Sequence, residues 1–79
     1  MAIYIEIEKL KERENTVQYK FSLLNECSGI LSINKDSGDV TLIEPLPNKH
    51  GENHFARAAY KVKKHWKEGN LPDKTCWAS

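Results

Sequence analysis

At 79 residues, 39% hydrophobic and 29% charged, the chain has the composition of one folded domain and no room for a second core. A domain this short buries only about 60% of its unfolded surface, so a large enclosed active site would remove packing that the fold needs. The net charge of +1 hides a division: residues 1–48 carry five Lys/Arg against eight Asp/Glu, and residues 49–79 seven against three, which predicts an acidic first half and a basic second half.

Ile3, Ile5 and Ile7 alternate with Tyr4, Glu6 and Glu8, the period-2 pattern of a half-buried strand over 2–8. Lys9 to Asn15 is charged and turn-like and reads as a connection. Val17, Tyr19, Phe21 and Leu23 alternate with Gln18, Lys20 and Ser22 in a second strand over 16–23. Asn25 to Gly29 gathers turn formers around Cys27, and further strands follow over 29–34 and 39–44. Between these last two, Asn34-Lys35-Asp36-Ser37-Gly38-Asp39 spells a hairpin turn. Asn and Asp side chains bond to nearby backbone, and Gly38 can take the positive φ that closes the loop. Leu31 and Ile33 should then share a face with Val40 and Leu42. Glu44-Pro45-Leu46-Pro47 ends the sheet, because proline cannot donate to a ladder.

A helix is predicted over 53–68. Phe55, Ala59, Val62 and Trp66 recur at i, i+4, i+7 and i+11, with Ala58 alongside, as one apolar stripe. Asn53 reads as the N-cap, Gly69 as the left-handed closing residue, and Pro72 blocks continuation. Arg57, Lys61 and Lys64 fall opposite the stripe, and Lys63 and Lys67 on a flank. Residues 70–79 read as a tail packed on or near the core through Leu71 and Trp77. The expected fold is α+β, a single domain over 1–79: a four-stranded antiparallel meander with one C-terminal amphipathic helix on one face, in the order ββββα. The other face would carry Tyr4, Glu6, Glu8, Gln18, Lys20 and Thr41 with no helix to cover it.

Chemistry is sparse. His50 and His54 are four apart, and Cys27 and Cys76 could complete a tetrahedral set. However, His50 and Gly51 precede the expected helix start, and the ligands do not come in the close pairs of a compact zinc module, so no metal or other cofactor is expected. The two cysteines make no disulfide framework and read as reduced thiols, bridged only if the tail folds back near Cys27. No nucleophile, base and orienting group converge, and there is no phosphate-binding glycine loop, so an enzyme is not expected. No apolar run approaches the roughly 18 residues of a membrane span, and the N-terminus lacks the features of a secretory signal, which predicts a cytoplasmic protein without membrane contact.

Two binding readings remain. The uncovered face, through Tyr4, Glu6, Glu8, Gln18 and Thr41 with Trp77 as a further anchor, suits another protein. Its acidic first strand favours a basic partner, and a second copy could cover the same face as a homodimer. In the alternative, Arg57, Lys61, Lys63, Lys64 and Lys67, with His65, lie along an RNA or DNA backbone.

The segment Phe55-Ala56-Arg57-Ala58-Ala59-Tyr60-Lys61-Val62 and the ending from Trp66 to Ser79 resemble a group of short bacterial proteins of unassigned function. That resemblance implies a bacterial, stand-alone, cytoplasmic protein and brings no catalytic or binding residue with it. Inhibitors and immunity or antitoxin-type proteins match it in size and class. The sequence therefore predicts a small non-enzymatic protein-binding module.

Overall fold

The computed structural model describes residues 4–23, 27–47 and 51–78. Six elements follow in order: β1 (Tyr4–Glu12), β2 (Thr16–Leu23), β3 (Cys27–Asn34), β4 (Val40–Glu44), α1 (Gly51–Lys67) and β5 (Lys74–Ala78). The fold is α+β, as the sequence predicts, but the sheet has five strands in the order β4-β3-β2-β1-β5, and every neighbouring pair is antiparallel. The first four form the expected meander. The helix then carries the chain across one face to the far edge, where β5 pairs with β1. The expected tail is thus largely a strand, and ββββα becomes ββββαβ.

The two alternating patterns meet in one core. Ile5, Ile7, Val17, Tyr19, Phe21, Leu31 and Ile33 from the sheet, and Ala58 and Val62 from the helix, are buried. Leu31 stands opposite Leu42 and Ile33 opposite Val40, as the turn between them requires. Phe55 and Trp66 pack against the core, and the Phe55 ring centroid lies 6.1 Å from that of Phe21. Burial contributes roughly 1.5–3 kcal/mol for each large apolar group.

Three boundaries differ from expectation. First, β1 runs on through Lys9–Glu12, which reads as a connection in the sequence. Its register with β2 slips between Lys9 and Lys11, leaving Leu10 as an unpaired bulge, and Lys11 and Glu12 then pair with Gln18 and Val17. Second, β3 begins at Cys27, within the stretch expected to turn. Third, α1 begins at Gly51, so Asn53 lies in its first turn and is not the N-cap.

The turn chemistry is as expected. Asn34 Oδ1 accepts from the amides of Asp36 (2.8 Å) and Ser37 (3.1 Å), and the Gly38 amide donates to Asn34 O (2.8 Å) with Gly38 at φ 79°. The helix closes at Gly69 (φ 78°), whose amide bonds Trp66 O at 3.0 Å while the Asn70 amide reaches His65 O at 3.0 Å. Those two bonds form a Schellman closure. Trp66 ties the two ends together: its indole N–H donates to Lys35 O at 2.6 Å, and its ring lies against Gly38.

Three contacts hold β5 in place. The Lys9 amide donates to Asp73 O (2.7 Å), and the Tyr19 hydroxyl donates to Pro72 O (2.7 Å). His65 Nε2 lies 3.0 Å from Thr75 Oγ1. Desolvation at this buried position pushes the Tyr19 phenol up to about 12.

Candidate interaction surfaces

The residues that alternate with the core define the open face of the sheet, and the strand register sorts them into rows. One row runs Lys74, Glu8, Lys20, Ile30 and Glu44; the next Cys76, Glu6, Ser22 and Ser28; another Lys11, Gln18, Ser32 and Thr41. Glu8 therefore sits between two lysines, and Lys74 Nζ lies 3.5 Å from its carboxylate. The acidic strand expected from β1 alone is offset by its neighbours, and the face carries both signs.

Tyr4 occupies one corner, 40% exposed. It borders a groove of about 260 Å³ with Glu6, Glu8, Lys74 and Cys76. A hydrogen bond with the Cys76 side chain raises the Tyr4 phenol above its ordinary value, with the charge interaction between the two groups adding to the shift. Thr41 lies on β4, three strands over and in the row of Lys11 at the other end of β1, so it is diagonally across the sheet from Tyr4. Trp77 is on the other face altogether. It stands opposite buried Ile5, packs against the core, and has the Arg57 guanidinium 5.2 Å from its ring centroid. The residues expected as one protein-binding set therefore split: Tyr4, Glu6 and Glu8 adjoin, Gln18 and Thr41 share a distant row, and Trp77 faces the helix.

The basic helix also divides. Lys63, Lys64 and Lys67 are exposed, and among the described residues none of them has an ion-pair partner. Arg57 and Lys61 are half-buried one turn apart, with Arg57 held over Trp77. His65 turns inward to Thr75 and Glu68 and does not join the exposed strip. Tyr60, which the apolar stripe leaves out, is 65% exposed among the lysines. The signal that could have found it is a lone aromatic on the polar side of an amphipathic helix.

At the hairpin end, Glu12 receives Lys35 Nζ at 2.7 Å and Lys9 Nζ at 2.9 Å, and Lys9 also lies 3.4 Å from Asp73. Lys35, then Lys9, hold the Glu12 carboxyl down at about 2, while Glu12 raises Lys9 in return. The adjoining groove of about 680 Å³ is lined by Glu12, Lys35, Trp66, Lys67, Gly69, Asn70 and Leu71. The cluster is a clasp that ties the end of β1 to the β3–β4 turn and to Asp73 ahead of β5.

The cysteines are both free thiols on opposite faces. Cys27 stands opposite Leu23 and packs against the core, whereas Cys76 stands opposite Glu6 on the open side. The C-terminal segment does fold back, but onto β1, away from β3. His54 is buried on the helix, His50 lies outside the described residues, and among the described residues no three potential ligands gather. No described helix is long and apolar enough to cross a membrane.

Compared with family models, with characterised proteins and with solved structures, the chain matches none. Roles for these surfaces rest on their geometry.

Proposed function

We propose that this protein is a non-enzymatic binding module whose partner is another protein, seated on the open face of the sheet. The observation that carries the reading is the extent and balance of that face. The face spans all five strands, about 19 Å from β4 to β5 at the usual strand spacing. One helix covers only one side. On the other, the Lys74–Glu8–Lys20 alternation is set among serines, with Ile30 partly exposed and Ile43 53% exposed.

A single-sign surface gains little against alternating charges, because attraction at one position is offset at the next. The complementary partner is a protein face that itself carries both signs, rather than the basic surface that β1 alone suggests. The test is affinity capture with the native domain and with Glu8→Lys and Tyr4→Ala. The captured protein is then purified, and its affinity is measured against each form. Glu8→Lys should weaken binding at least tenfold, and Lys63→Glu, on the opposite side, should leave it unchanged. A dimer in sedimentation that Glu8→Lys dissolves would make the partner a second copy. Binding indifferent to the open face, or turnover of a metabolite in a broad enzyme screen, would end the proposal.

A further inference from the structure

We infer that the outward strip of α1 formed by Tyr60, Lys63, Lys64 and Lys67 is a binding site for single-stranded nucleic acid, separate from the sheet face. Three lysines elsewhere have carboxylate partners, Lys9 and Lys35 on Glu12 and Lys74 against Glu8, while Lys11 and Lys20 stand in separate rows of the sheet. The strip instead gathers three exposed lysines on one helix face, none with an ion-pair partner among the described residues, with Asp39 bordering Lys63 and Glu12 bordering Lys67 across neighbouring grooves. The four side chains line one shallow groove of about 290 Å³.

Charge alone would fit any polyanion. Tyr60 narrows the choice. It is the most exposed large apolar side chain among the described residues, at 65%, and it lies among the cations. An aromatic face flanked by unpaired lysines suits an unstacked base with phosphates on either side. A duplex keeps its base faces stacked inside and offers the ring nothing comparable. An acidic polypeptide has carboxylates for the lysines but no regular planar group for the tyrosine.

The site is tested with a fluorescent mixed-sequence single-stranded RNA at 50 mM salt, alongside its duplex and poly-glutamate of equal charge. The single strand should bind most tightly, with log affinity falling against log salt at a slope of about −2 for three lysine–phosphate contacts. Lys64→Glu with Lys67→Glu should abolish retention while leaving thermal unfolding intact. Tyr60→Ala should cost roughly 5- to 150-fold, whereas Tyr60→Phe should bind nearly as well as the native chain. Failure to bind the single strand overturns the inference, as does equal binding of duplex or poly-glutamate with Tyr60→Ala silent. Because Tyr60 and Lys64 lie on the helix and Tyr4 and Glu8 on the sheet, failure here leaves the protein-partner proposal standing, and the converse holds.

Discussion

Replacing Gly38 with alanine separates two effects at one atom. Gly38 sits at φ 79°, where an L-residue costs about 1–2 kcal/mol. A Cβ placed there would also lie 2.5 Å from the Trp66 ring, well inside contact distance. Forcing a methyl into a packed site costs a further 1–3 kcal/mol or so. Gly69 supplies the control. Its φ is 78°, but a Cβ there meets nothing within 4 Å, so Gly69→Ala bears the backbone cost alone. The two variants should therefore differ by about 1–3 kcal/mol, or roughly 4–24 °C in Tm for a domain of this size. Urea unfolding gives the free energies directly. In a Trp66→Leu background the ring is gone, and Gly38→Ala should then cost about what Gly69→Ala does. Equal losses for the two alanines in the native chain would refute the packing account. So would a Gly38→Ala cost unchanged by removing Trp66.

Two further outcomes follow from the clasp and the cysteines. Glu12 ionises at about 2 in the folded chain against an ordinary 4.5, so its contribution is fully present above pH 4.5 and is lost as pH falls through 2. The difference in urea midpoint between native protein and Glu12→Gln should be constant above that window and close within it; a difference independent of pH across the window would contradict the clasp. Cys27 and Cys76 lie on opposite faces of β3 and β5, roughly 14 Å apart by strand spacing against the ~7 Å a disulfide tolerates between Cα atoms. Oxidised monomer should thus retain two alkylatable thiols by mass spectrometry, and an intrachain bridge would contradict the strand order.

Much of the fold is written in local patterns. The alternation from Val17 to Leu23 marks β2 at its observed limits, and the Asn34–Gly38 turn and the Gly69 closure depend on side chains within a few residues. What escapes is set by distant neighbours. The Lys74–Ala78 strand has five residues and little alternation of its own; it forms because β1 has an edge to fill and Trp77 and Thr75 can cover Ile5 and Ile7. Lys9 to Glu12 looks like a loop because its charges are read without Lys35 and Asp73, which engage them. The same reason explains the surfaces. Glu6 and Glu8 predict an acidic face until the register sets Lys20 and Lys74 beside Glu8, and Trp77, legible both as an exposed anchor and as cover for the core, is fixed on the core side by its strand.

β1 takes one partner from its nearest neighbour in sequence and the other from the far side of the helix. Those two pairings close very different lengths of chain, and so they belong to different stages of folding. The meander can assemble hairpin by hairpin, but until α1 has crossed and β5 has arrived, β1 presents a row of unsatisfied amides and carbonyls beside Ile5 and Ile7. That interval is when a neighbouring chain could add itself to the sheet in place of β5. The contacts from Tyr19 to Pro72 and from His65 to Thr75 are ones that only the chain's own strand can make, and they favour it over an intruding strand once it has docked.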